Sequence, residues 1–130
     1  MTNTITRKNI LEKRKSNING MGIFTNQPVT KNTEYYAIPL TIIHHTPQPR
    51  CARIADSKYV QDDAVLNWVN HSCDPNSILD IERPDPVLKA IRDIAPDEEI
   101  SVDYNRTEVQ GVSVECTCKA ANCKGYFDRL

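Results

Sequence analysis

The chain has 130 residues, 39% hydrophobic and 25% charged, with sixteen Lys and Arg against seventeen Asp and Glu for a net charge of -1. That length fits one domain with a core of its own, and the balanced charge offers no large field to hold nucleic acid or an anionic membrane. No apolar run reaches a membrane span, and the opening MTNTITRKNI lacks the apolar stretch of a signal peptide, so an intracellular, cytoplasmic protein is expected, nuclear if the source is eukaryotic.

From the N-terminus, Arg7, Lys8, Lys13, Arg14 and Lys15 read as a solvated basic arm. Asn19-Gly20 is a turn signal, and Met21 to Thr25 is strand-like. Gln27-Pro28 and Lys31-Asn32 punctuate the next connection, and TIIHHTPQPR begins apolar and ends in a proline-rich loop. His44 and His45 fit no motif and are read as loop or strand-end residues. From Tyr59 to Val69, the near-helical spacing of Val60, Ala64, Val65 and Trp68 predicts a short helix.

NSILDI and VLKAIRDI flank ERPDP, which predicts a hairpin. EISVDY alternates Ile100, Val102 and Tyr104 as a half-buried strand does. The tail VECTCKAANCKGYFDRL has too little apolar content to fold alone. Several short strands, many turns and little helix make a mainly β domain.

Cys116, Cys118 and Cys123 are the most specific local signal. Residues two apart make a strained disulfide, whereas an i, i+2 thiolate pair with a third sulfur looping back suits one metal ion. Structural zinc takes four tetrahedral ligands, so the fourth must be Cys51 or Cys73. Cys73 is favoured, because it sits between a polar approach and the turn-forming Asp74-Pro75. Cys51 is left as a buried or free thiol. A closed site would also order the tail, since metal binding supplies folding free energy. Read as a nucleophile, Cys73 would have to be ionised and exposed, and the metal set uses it up.

Taken together, four segments resemble a SET-domain protein lysine methyltransferase with a zinc-binding post-SET tail. GMGIF resembles the Gly-x-Gly opening motif and NHSCDPN the Asn-His-Ser-Cys-x-Pro-Asn motif. IRDIAPDEEISVDYN resembles the segment in which a turn and two acidic residues precede a strand ending Asp-Tyr, and CTCKAANCKG resembles the post-SET cysteine pattern. The four stand in family order between Asn19 and Phe127.

The resemblance implies a mainly β, SET-like β-clip fold with knot-like threading of its C-terminal segment and a zinc-ordered tail. It implies an arm or first strand over residues 1–18, a SET domain over 19–110 and a post-SET segment over 111–130. S-adenosylmethionine would bind on one side, with a lysine entering a narrow channel from the other. By the same resemblance Gly20, Met21 and Gly22 line the cofactor through their backbone, Asn70 and His71 contact it, and Tyr126 or Phe127 covers its adenine. Tyr104 is the catalytic tyrosine and touches the cofactor too. Cys73, Cys116, Cys118 and Cys123 bind one structural zinc ion. The partner is a protein or peptide presenting lysine, with neither direct nucleic-acid binding nor a membrane expected.

The chain departs from the family in three places. Asn67-Trp68-Val69 stands where an Arg-aromatic-Ile run is common, and the Tyr-x-Gly-Glu element is missing from the short segment 40–66. Val102 replaces an aromatic two residues before Tyr104, which leaves room for more than one methyl group. A SET-like binding module without turnover is the alternative, and a zinc-bearing interaction protein a third reading.

Overall fold

The computed structural model describes residues 10–81, 83–103, 112–116, 118 and 120–129. Within them the regular structure is almost entirely short strands, joined by turns and loops. The first two, β1 (Leu11–Lys15) and β2 (Met21–Thr25), form an antiparallel hairpin that pairs Leu11 with Thr25 and Lys15 with Met21. Its tip is tied by Ser16, whose N–H donates to Gly20 O at 2.7 Å while its Oγ accepts from the Ile18 N–H at 2.8 Å. Gly20 takes a left-handed φ of 50°, which costs a glycine little. Arg14 reaches from β1 to Asp97 and Glu12, both at 2.9 Å, so this part of the basic arm is ion-paired rather than merely solvated.

A second sheet has the order β3 (Glu34–Ala37), β9 (Val87–Ala90), β8 (Ser77–Asp80). The β8–β9 pair is the predicted hairpin, closing at Asp80↔Val87 over residues 81–86. A third has the order β4 (Ile43–His44), β6 (Lys58–Val60), β5 (Ala52–Ala55). His44 ends β4, as its sequence setting predicted. Ile23, Tyr36, Val60, Leu88, Ile94 and Ile100 sit in one core with almost no exposure.

The helix expected over Tyr59–Val69 does not form. Tyr59 and Val60 belong to β6, and only Leu66–Trp68 makes a turn of 3₁₀ helix. Asp62 is responsible: its carboxylate accepts from the Leu66 N–H at 3.1 Å, the Ala64 N–H at 3.2 Å and the Tyr36 hydroxyl at 2.8 Å. A buried side chain thus takes up backbone donors and leaves only a short turn. Ala64, which the helical spacing counted as apolar face, is exposed.

β7 (Asn70–His71) and β10 (Ser101–Val102) pair in parallel, Asn70 with Ser101 and His71 with Val102. Parallel neighbours demand a long crossover; here the β8–β9 hairpin and the stretch up to Ile100 supply it, so two distant segments lie side by side. Because β10 is enclosed, Ile100, Ser101 and Val102 are all buried, and the half-buried alternation expected from EISVDY is absent. The tail forms a hairpin of β11 (Val112–Glu115) and β12 (Tyr126–Arg129). Among the described residues no helix is long and apolar enough to cross a membrane.

Candidate functional site

β7 delivers Asn70 to the tip of the β1–β2 hairpin. Its Nδ2 lies 3.0 Å from both Asn19 O and Met21 O, 3.1 Å from Ser16 Oγ and 2.9 Å from Glu99 Oε2. The structure therefore brings Asn70 and the Gly20–Gly22 turn together, with Met21 engaged through its carbonyl. Glu99 reaches this point because segment 94–100 runs along β2: Phe24 bridges Glu99, and the Ile100 N–H donates to Ile23 O at 2.8 Å.

Next along β7, the His71 side chain is 1% exposed, with Nδ1 3.6 Å from Asp103 Oδ1 and Nε2 3.4 Å from Cys73 Sγ. Burial pushes this imidazole below its ordinary value, against the pull of the Asp103 carboxylate and with help from Lys124. His71 links the Asn70 end of the strand to the sulfur cluster.

Cys73, Cys116, Cys118 and Cys123 place their sulfurs within 4.8 Å of one another. Cys73 and Cys116 are 3.9 Å apart, and four thiolates around zinc at ~2.3 Å would be about 3.8 Å apart. The donor set and spacing therefore fit one zinc ion. Backbone N–H groups support the sulfurs: Lys124 donates to Cys73 at 3.3 Å and Gly125 to Cys123 at 3.4 Å. Burial pushes the Cys73 and Cys116 thiols up. It works against the Cys118 thiolate too, but donors from Cys73, Ala120 and the neighbouring thiols offset it and bring Cys118 down to about 6. Asn122 Nδ2 donates to Cys73 O at 3.1 Å and clips the tail to the β7 loop. Cys51, the other candidate fourth ligand, is buried elsewhere at 2% exposure.

Tyr104 lies outside the described residues. Tyr126 opens β12 with a ring 61% exposed, directly after the sulfur cluster, and Phe127 pairs with Val114 in the same hairpin. A cavity of ≈ 40 Å³ lies beside β10, lined by Ser77, Leu79, Ile91 and Val102 among others.

Three residues at the site carried no role in the sequence reading. Ser16 and Glu99 complete the Asn70 cluster, and Asn76 bonds Glu99 O at 2.7 Å and the Ser101 N–H at 3.1 Å. Asn76 closes the NHSCDPN run, which was the available signal for it. Trp68 is flanked by cations, Lys13 Nζ at 4.3 Å and Arg50 Cζ at 5.3 Å from its ring centre.

The SET-domain family model matches residues 20–105. A Saccharomyces cerevisiae protein, "Histone-lysine N-methyltransferase, H3 lysine-4 specific", is 37% identical over 70 residues, covering 49% of this chain and 6% of that protein. The Drosophila pseudoobscura pseudoobscura "Histone-lysine N-methyltransferase Su(var)3-9" is 36% identical over 90 residues, 53% of this chain and 14% of its own length. The chain thus spans only a small part of these curated relatives. Among solved structures, KRYPTONITE in complex with mCHH DNA, H3(1-15) peptide and SAH superposes with a TM-score of 0.73 at 20% identity, covering 89% of this chain and 29% of that one. The methyltransferase domain of human SETMAR gives 0.65 at 20% identity, with 91% and 58% covered. At such identities these two likenesses carry the fold alone.

Proposed function

We propose, from the premise that this chain belongs to the SET-domain family, that it transfers methyl groups from S-adenosylmethionine to the side-chain amine of lysine in a protein substrate. The observation that carries this reading is the convergence at β7. Asn70 meets the Gly20–Gly22 turn, and three residues later Cys73 joins the tail's sulfurs. One short strand thereby links a nest of backbone oxygens to a zinc-type cluster and to the tail that would cover a ligand.

In this reading Gly20, Met21, Gly22, Asn70 and His71 hold the methyl donor, and Tyr126 or Phe127 covers its adenine. Cys73, Cys116, Cys118 and Cys123 hold a structural zinc ion, whose four thiolates leave no open position for chemistry. The SET domain runs over 19–110 and the zinc segment over 111–130. The lysine lone pair forms the new N–C bond while the S–C bond of the sulfonium breaks, and its electron pair stays on sulfur. Attack requires a neutral amine, although free lysine has a pKa of about 10.4. An apolar channel and the adjacent sulfonium both lower it. Tyr104 orients the amine, so positioning supplies much of the acceleration.

Relatives named for histone H3 support a protein or peptide substrate. The near-zero net charge favours such a partner over nucleic acid. Relatives named as histone-lysine methyltransferases support an intracellular location, and we read it as cytoplasmic or, in a eukaryote, nuclear. The test is labelled-methyl transfer to lysine in a cell lysate, before and after Tyr104→Phe, with S-adenosylhomocysteine binding followed by calorimetry. Transfer lost in Tyr104→Phe with binding retained is expected. Binding without transfer in the wild-type protein would make the chain a binding module instead.

A further inference from the structure

A side chain at position 22 would collide with the protein itself. A Cβ built on Gly22 lies 2.2 Å from Glu99 Oε2 and 2.9 Å from Glu99 Cδ, with Ser16 Cβ next at 3.1 Å. Gly22 is not among the glycines with positive φ, so backbone freedom is not what glycine supplies here. Its missing side chain leaves room for a carboxylate.

That carboxylate fixes two pieces of the site at once. Ser16 Oγ donates to it at 2.7–2.8 Å, and Asn70 Nδ2 donates at 2.9 Å. The same Ser16 Oγ accepts from the N–H groups of Ile18 and Asn19 and so shapes the turn that leads into Gly20. Asn70 Nδ2 has four oxygens around it at 2.9–3.1 Å but two hydrogens to give. The charged acceptor is the strongest of the four, so Glu99 decides how the amide is turned and aims Asn70 Oδ1 away from the oxygen cluster.

We infer that Glu99 is a positioning residue for the cofactor site, acting through Ser16, Gly22 and Asn70, and that Gly22 is glycine in order to seat this carboxylate. The functional half rests on the methyl-transfer reading; the seating of Glu99 against Gly22 does not. Glu99 is the flexible end of a side chain, so Gly22→Ala can be relieved by expelling the carboxylate, with loss of the Ser16 and Asn70 bonds. Gly22→Ala should therefore reproduce Glu99→Ala rather than add to it.

The test is a double-mutant cycle on the zinc-loaded chain, read by thermal midpoint and by calorimetry with S-adenosylhomocysteine. Each of Gly22→Ala and Glu99→Ala is expected to lower the midpoint by roughly 5 °C, and the double variant should lie no lower than Glu99→Ala alone. Each should weaken S-adenosylhomocysteine binding by about tenfold, the scale of one charge-assisted hydrogen bond, again without summing. Glu99→Gln, which can still accept from Asn70 and face a reoriented Ser16 hydroxyl, should return binding to within about threefold of wild type. Additive midpoint losses would overturn the seating of Glu99. Binding as weak in Glu99→Gln as in Glu99→Ala would overturn the positioning role, because the charge would then be acting on the ligand directly. A wild-type chain that takes up no S-adenosylhomocysteine sinks the cofactor reading and the positioning role together, while the midpoint cycle still decides whether Gly22 answers to Glu99.

Discussion

Asn76 and Ser101 are joined inside the protein: Asn76 Oδ1 accepts the Ser101 N–H at 3.1 Å, while Asn76 Nδ2 donates to the Glu99 carbonyl at 2.7 Å. One side-chain amide thus stands in for a strand neighbour just where β10 begins. At 1% exposure no water replaces it. Asn76→Ala would strand a buried N–H and a buried carbonyl, each worth about 1–3 kcal/mol. The expected loss is about 2–6 kcal/mol, measured as a lower urea midpoint at unchanged slope. A loss below ~1 kcal/mol would mean that the chain crossing does not depend on this amide.

The sulfur cluster predicts one zinc per chain. Cys116→Ser and Cys118→Ser should each abolish stoichiometric zinc, and chelation should expose the backbone amides of β11 and β12 to rapid hydrogen exchange. Cys51→Ala should retain the full metal content, since Cys51 is buried away from the cluster. Loss of zinc in that variant would contradict the ligand set.

Tyr35 and Tyr36 predict an alkaline limit to stability. Burial pushes both hydroxyls well above the usual tyrosine range; Asp62 adds to this at Tyr36, and the Ser77 bond works slightly against it at Tyr35. Their folded-state values are raised, so the stabilisation is fully present below the unfolded tyrosine pKa of about 10 and declines as pH rises past it. The slope approaches roughly 1.4 kcal/mol per pH unit for each group. Denaturation between pH 9 and 11.5 (a window set around the tyrosine pKa of about 10) should show a steeper fall in the wild type than in Tyr35→Phe. Equal slopes would rule out Tyr35 as the titrating group.

Val102 lines a cavity of ≈ 40 Å³ together with Leu79 and Ile91, and in the proposed methyl-transfer reading its short side chain leaves room for more than one methyl group. Mass spectrometry of a peptide with a single lysine should find more than one methyl group added. Val102→Tyr should shift the product toward monomethyl-lysine, at a packing cost of about 1–3 kcal/mol followed separately by melting. Exclusive monomethylation by the wild type would end this reading.

Local chemistry made part of this protein legible in its sequence. The β2 strand followed from GMGIF after Asn19-Gly20, the β8–β9 hairpin from its turn residues, and the four sulfurs from their spacing and count. What escaped was whatever depends on pairing across the chain. Ser16 and Glu99 are separated by 83 positions, and neither position signals the other. The helix read through Tyr59–Val69 failed for the same kind of reason: Asp62, held by Tyr36 from another sheet, captures the donors a helix would have used. The short alternation in EISVDY was overridden by enclosure on both faces.

The parallel pairing of β7 with β10 has a consequence for biosynthesis. The ribosome releases Asn70 and His71 well before Ser101 and Val102, and Cys73 before any of the three tail cysteines. Folding of contacts this distant waits on late-emerging chain. A nascent copy therefore carries Asn70 and the first cysteine of the sulfur cluster before the segments that pack against them have emerged. The sulfur cluster can therefore form only after residue 123 has left the ribosome, and translation that stops before it leaves the cluster incomplete.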